Sequence, residues 1–379
     1  MPASPSTARA INDRLALRLL QDEGPLTAGQ LKNLTGLSRP TVADLVERLQ
    51  GSGLVHVVGE SGAERRGPNA RLYAIVADRA HLAALDVRTH SVSLVVADLL
   101  GAPLAEATLP IEPEAGTGPA VEQAVALLER TAKEAGAERL HSVGIGAPGL
   151  IDPASGELRD TSGLPAWHRE LVRVLAGRLP AAVLVENETN LAAVAEQRLG
   201  AARGQDTFVL LWLGQGIGAA VVLDGKLRRG ASGGAGEIGF MPVPGTGGLP
   251  SATGCDGGFH ELVHAGAVAR LATAHGRPGS AEEAVRDADG PFLDALAERL
   301  AIGAAGVVAV LDPGVIVLGG ELGHAGGQVL AGRVQRALAA LTPLATEVRP
   351  SELGDGAVLS GALLAARDAA QDDLFAPKG

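Results

Sequence analysis

Residues 27–49 read Thr-Ala-Gly-Gln-Leu-Lys-Asn-Leu-Thr-Gly-Leu-Ser-Arg-Pro-Thr-Val-Ala-Asp-Leu-Val-Glu-Arg-Leu, and this stretch decides how the amino-terminal segment folds. Thr27 is a helix N-cap, and Gln30 three residues on completes a capping box. Leu31 and Leu34 point that helix inward, Thr35-Gly36 makes a short turn, and Leu37 plugs the gap before the next helix. Ser38 caps that next helix, with Pro40 tolerated in its first turn. Val42, Leu45, Val46 and Leu49 fall at i, i+3, i+4 and i+7, which makes a buried stripe; Thr41, Ala43, Asp44 and Arg48 lie opposite.

Working outward, Ile11, Leu15 and Leu19 make one stripe of an earlier helix over Ile11–Leu20, which Gly24-Pro25 ends. Downstream, Leu54–Val58 and Ala70–Val76 are strand-like, and the polar loop Gly59–Asn69 joins them. Three short helices with a tight turn between the last two, then a β-hairpin, predict a winged helix-turn-helix. In that arrangement the third helix enters the major groove with Ser38, Arg39, Pro40, Thr41 and Asp44 at or near the duplex. The wing tip Glu64-Arg65-Arg66-Gly67-Pro68 places Arg65 and Arg66 where a minor groove attracts guanidinium. A small helical packing module with a solvated hairpin is the plain alternative.

Charge distribution agrees with a reading head. The whole chain carries −11, but residues 1–79 hold ten Lys/Arg against eight Asp/Glu, and the rest 22 against 35. An acidic body repels phosphate, which leaves the head as the contact surface for double-stranded DNA. At 379 residues, two or three domains are expected. The longest apolar runs are strand-length, and the amino terminus lacks a signal-peptide pattern, so a cytoplasmic location is expected. A lone cysteine, Cys255, leaves no internal disulfide and no multi-cysteine metal cage.

The body repeats itself. His81–Val87, Ser91–Leu99 and Leu104–Pro110 make a meander, followed by helix Pro119–Ala135, strand Ser142–Ile145, helix Trp167–Leu179 and strand Ala182–Val185. Phe208–Leu213, a Gly214–Gly218 turn and Ala219–Leu223 restart the theme, and Val315–Leu318 is a later buried strand. Two such copies predict a duplicated α/β architecture with a ligand cleft between lobes.

Several motifs occur in a familiar order: Gly144-Ile145-Gly146-Ala147-Pro148-Gly149, Leu164-Pro165-Ala166-Trp167, Glu186-Asn187-Glu188-Thr189-Asn190, Gly214–Gly218, Gly236-Glu237-Ile238-Gly239 and Asp312–Gly320. Together they make the body resemble the ROK family, which groups sugar kinases with sugar-responsive repressors on an actin/hexokinase-like (ribonuclease H-like) fold. A winged head before such a body resembles the repressor branch. The resemblance implies a head over 1–78, a first lobe over 79–200 and a second over 201–379, with the last helix open to returning to the first lobe.

The departures from that family point away from phosphoryl transfer. The kinases' first phosphate turn, Asp-x-Gly-Gly-Thr, is Asp86-Val87-Arg88-Thr89-His90 here, so side chains stand where backbone amides approach phosphate. The family's aspartate base is Glu188, whose extra methylene displaces the carboxylate. The Glu-x-Gly-His motif ends in Phe240, and of the zinc-binding cysteines in the stretch matching Ala252–Glu261 only Cys255 remains. His260 and His264 sit at i, i+4, more simply a helix surface than a metal pair. Gly163 stands where relatives place an asparagine. No catalytic residue, metal ligand or cofactor is therefore expected. Asn187, Glu188, Glu237 and Glu261 align with sugar-contacting positions and imply a sugar-type effector site; hydrogen bonds to neighbouring backbone and water are the alternative. The expected protein is a homodimeric or homotetrameric transcriptional regulator. An active ATP-dependent sugar kinase with an accessory head is the rival.

Overall fold

The computed structural model describes residues 5–61, 70–112, 116–159, 166–251, 254–286, 288 and 290–376. The first group of elements is α1 (Pro5–Glu23), β1 (Leu26–Thr27), α2 (Ala28–Thr35), α3 (Arg39–Gly51), β2 (Val55–Ser61) and β3 (Ala70–Ile75). Its strands form a sheet ordered β1-β3-β2 with both pairings antiparallel. The Thr27–Gln30 capping box is present in both directions, and Gly36, at φ 70°, ends α2 in the left-handed conformation. Leu31, Val42, Leu45, Val46 and Leu49 are buried together.

Two side-chain assignments read from periodicity fail. Ile11 and Leu15 are 59% and 39% exposed and Leu34 is 52% exposed, while α1 buries Ala16, Leu17 and Leu20. The inward face of α1 is fixed by a partner far along the chain. Its core is shared with Leu82, Leu99, Ala366, Ala370 and Phe375 of the body, so the local stripe did not decide which side faced in.

The body begins with β4 (His81–Arg88), β5 (Ser91–Asp98), β6 (Pro103–Pro110), α4 (Thr117–Glu134), β7 (Leu140–Ala147), α5 (Ala166–Arg178), β8 (Ala182–Asn187) and α6 (Glu188–Leu199). The sheet order is β6-β5-β4-β7-β8, antiparallel across the meander and parallel from β4 through β8. Then come β9 (Phe208–Leu213), β10 (Ile217–Leu223), β11 (Lys226–Arg228), α7 (Phe259–Val263), α8 (Ala265–Ala274), α9 (Ala281–Val285), α10 (Gly290–Leu311), β12 (Val315–Gly319), α11 (Gly320–Ala339), β13 (Glu347–Pro350) and α12 (Ala357–Leu374). The second sheet, β11-β10-β9-β12-β13, repeats the first strand for strand. The central strands β9 and β12 are buried end to end, and β4 is buried except at its two terminal residues, as sheets covered on both faces require.

The last helix leaves the second lobe and packs on β4, β7 and α6 of the first. Two glycines permit that approach. A Cβ at Gly144 would strike the Ala362 carbonyl, and one at Gly361 would strike the Leu191 carbonyl. No helix among the described residues is long and apolar enough to cross a membrane.

Candidate functional site

The sequence-predicted site residues fall in two regions: the outer face of α3 and the space between the two sheets. On α3, the Ser38 side chain accepts the Thr41 amide at 3.3 Å and lies 2.8 Å from the Thr41 hydroxyl. Ser38, Arg39, Pro40 and Asp44 are exposed and Thr41 is half-buried. Ser38 therefore has a structural duty as a cap, while Arg39 stands on the open surface. Arg48, on the same outward side in the sequence reading, is committed elsewhere: it grips Asp13 of α1 through two hydrogen bonds, at 2.5 and 3.3 Å. Arg65 and Arg66 lie outside the described residues; β2 and β3 are the strands that lead to and from that loop.

The cleft is built from strand ends. β8 delivers Asn187 and Glu188 at the start of α6, β4 delivers Asp86 and Arg88, and the start of α11 delivers Glu321. Asn187 is occupied by the fold: its Oδ1 accepts the Thr189 and Asn190 amides, and its Nδ2 donates to the Gly149 carbonyl at 2.9 Å. Glu261 is occupied too, accepting the Gly247 and Gly257 amides, the latter at 2.9 Å. Glu186 accepts the Asn187 amide and the Asn190 side chain, and pairs with Arg229 at 2.5 Å from the facing lobe. Of the four expected ligand groups, Glu188 and Glu237 show no such side-chain hydrogen bonds among the described residues.

These two differ from ordinary glutamates. Burial, then the nearby Asp86 and Glu321 charges, push the Glu188 carboxyl up to about 8. Burial also raises Glu237 and Glu321. At neutral pH Glu188 is therefore largely protonated and able to donate a hydrogen bond, while its ionised fraction is a stronger base than an ordinary glutamate. Asp86, 3% exposed, is raised by burial and partly offset by Arg88; its Oδ1 has no hydrogen-bond partner among the described residues.

His260 and His264 stack with ring centroids 4.4 Å apart, and the His264 Nδ1 is engaged by the His260 carbonyl at 2.8 Å. Among the described residues no group of three or more His, Cys, Asp or Glu side chains is placed to hold a metal ion. Gly163 and Ala252 lie outside the described residues. Phe240 is 40% exposed.

A ROK family model matches residues 82–369, and a MarR family model matches residues 11–67. The chain belongs to the ROK family. Among its relatives, the glucokinase of Thermotoga maritima is 33% identical over 208 residues, 48% of this chain and 65% of that protein. The xylose repressor of Caldicellulosiruptor bescii is 24% identical over 237 residues, 62% of this chain and 59% of that protein. This ROK chain thus spans under two thirds of the length of either relative. Among solved structures, a ROK family transcriptional regulator described as a homolog of the E. coli MLC protein superposes with a TM-score of 0.77. It is 21% identical, covering 97% of this chain and 98% of that one, so the likeness takes in the head as well as the body.

Several residues of this ROK body were missed by sequence reasoning. Glu196 of α6 is wholly buried and accepts the Ala201 amide at 2.7 Å, the Ser351 hydroxyl at 2.5 Å and the Leu353 amide at 3.0 Å. It ties together both chain crossings between the lobes. Arg349 reinforces the junction by donating to the Ala201 carbonyl at 2.8 Å. His168 is fully buried, and burial pushes it down to about 4, partly offset by the Arg88 backbone. Only Gly200 carries a trace of the Glu196 junction in the sequence, since a Cβ there would collide with the Glu196 carboxylate.

Proposed function

We propose that this protein is a sequence-specific DNA-binding transcriptional regulator, a repressor of carbohydrate-related genes, whose ROK body senses a sugar-type effector and does not phosphorylate it. The observation that carries this reading is the shared core between head and body. Ala16, Leu17 and Leu20 of α1 pack in one cluster with Leu82, Leu99, Ala366, Ala370 and Phe375. A head fused to its body in this way cannot ignore a rearrangement of α12. That helix starts beside the cleft and the lobe junction and ends against α1. An effector that favours one lobe arrangement would therefore shift the head through a contiguous element.

Ser38, Arg39, Pro40, Thr41 and Asp44, with Arg65 and Arg66, are proposed as the DNA-reading set. Glu188 and Glu237 are proposed to face the effector, while Asn187 and Glu261 shape the walls through the backbone bonds described above. The division at residues 78 and 200 is proposed on the repeated sheets. A homodimer or homotetramer in the cytoplasm reading a palindromic or repeated site is part of the same proposal. The test is binding to the protein's own promoter region at several salt concentrations, with Arg39→Ala and Arg65→Ala/Arg66→Ala variants alongside.

The kinship with a glucokinase favours a second reading, active sugar phosphorylation. A coupled ATP-turnover assay over neutral hexoses and amino sugars separates the two: turnover above background, abolished in Glu188→Gln, establishes the kinase.

A further inference from the structure

Helix α11 starts at Gly320, immediately after Gly319, and Gly320, at φ 73°, lies against the backbone of Leu213, where a Cβ would clash. The start of α11 therefore lies against the end of β9 and the Gly214–Gly216 turn that joins β9 to β10. A glycine turn facing a helix N-terminus is a seat for an anion, because backbone donors and the helix dipole converge there.

In this chain an anion is already part of the polypeptide. Glu321, in the first turn of α11, lays its carboxylate over Gly214 so closely that any Cβ at that glycine would collide with Glu321 Oε2. The other oxygen, Oε1, accepts Arg88 Nη1 at 3.3 Å. Arg88 comes from the opposite lobe, is anchored by Nε to Asp86 Oδ2 at 2.9 Å, and donates by Nη2 to the Asp355 carbonyl at 3.3 Å. One guanidinium thus joins the first sheet, the start of α11 and the segment leading into α12.

We propose that Glu321, held by Arg88, is a built-in occupant of the anion seat, and that this pair is the specificity-determining element of the cleft. It shuts out nucleotides and phosphorylated ligands, leaves room only for uncharged or cationic ones, and staples the lobes together in the ligand-free protein. Asp86 lies beside the pair, and Arg88 is the single cation hydrogen-bonded within this acidic group among the described residues, its guanidinium already shared between Asp86 and Glu321. Retention of Gly214 follows as well: it makes room for Glu321 and need not cradle a phosphate. The exclusion rests on the reading of the cleft as an effector site, whereas the occupied seat stands on its own geometry.

The test is a thermal melt of the full chain in sodium pyrophosphate against sodium chloride of equal ionic strength. The wild type should not move. Glu321→Gln keeps the side chain's size but removes its charge, freeing Arg88 for an external anion. Its midpoint should rise by about 2 °C or more at about ten times the dissociation constant. Adding Arg88→Ala to that variant should remove the gain. A wild type stabilised as much as Glu321→Gln, or a folded Glu321→Gln that ignores pyrophosphate, would overturn the proposal. A parallel melt with neutral sugars reads the effector assignment separately, since failure there does not alter the pyrophosphate response.

Discussion

Gln371 of the last helix donates its side-chain amide to Gln21 of the first helix at 2.8 Å, although 350 residues separate them. The same amide reaches the Leu99 carbonyl at 3.1 Å, and Arg14 pairs with Asp372 beside it. Head and body therefore meet through a polar seam laid over a shared apolar core. On the proposed function, this seam is where a change in the body would be passed to the head. Gln371→Ala should leave effector binding to the isolated cleft unchanged and reduce the effector's influence on DNA affinity. Measuring DNA affinity with and without effector in both proteins gives the coupling, and an unchanged ratio would remove the seam from the pathway.

The approach of α12 to the first lobe depends on missing side chains. Gly144→Ala or Gly361→Ala places a methyl into a carbonyl of the facing element, an overpacking that costs about 1–3 kcal/mol or more. Both variants should lower the melting temperature and raise hydrogen exchange along α12 and α1 together. Exchange confined to α12 would mean that the two helices do not move as one.

On the head, Arg39→Ala should weaken binding across all duplex sequences and reduce the slope of log affinity against log salt by about 1. Arg48→Ala should not alter that slope, because its guanidinium is spent on Asp13. Ser38→Ala acts differently again: it removes the cap of α3 and costs about 1 kcal/mol of stability. Equal salt slopes for the Arg39 and Arg48 variants would contradict the assignment of the outer face.

The acidity of Glu188 gives a pH dependence with a definite sign. The folded state holds its proton up to about 8, well above an unfolded glutamate, so the native state binds more protons in between. Stability attributable to this group falls as pH rises through that window. His168, pushed down to about 4, acts oppositely, its contribution being lost as pH falls below the ordinary histidine range. Between pH of about 7.5 and 8 Glu188 dominates these two, with a slope of at most about 1.4 kcal/mol per pH unit. Glu188→Gln should flatten denaturation midpoints over that range, and an unaltered slope would show that Glu188 is ionised throughout.

Much of this molecule could be read without coordinates, for identifiable reasons. The Thr27–Gln30 box, the Ser38 cap and the stripe Val42-Leu45-Val46-Leu49 are local, so their pattern is complete within a few turns of chain. The duplicated sheets follow from strand-length apolar runs in a repeated order. What stayed hidden depends on distant partners. Ile11 and Leu15 face solvent because α1 is oriented by Ala366, Ala370 and Phe375. Asn187 and Glu261 matched ligand positions in type, yet their polar atoms are taken by backbone groups that only the folded loops bring near. Glu321 gave no signal at all; its meaning arises when Arg88 crosses the cleft.

Titrating the full chain against a labelled duplex from its own promoter, with and without a panel of neutral sugars, bears most directly on the regulator assignment. The expected result is binding about 10³-fold or more tighter than to a shuffled duplex, steeply weakened by salt and altered by at least one sugar. Equal affinity for the shuffled duplex, together with ATP consumption in the presence of that sugar, would contradict it.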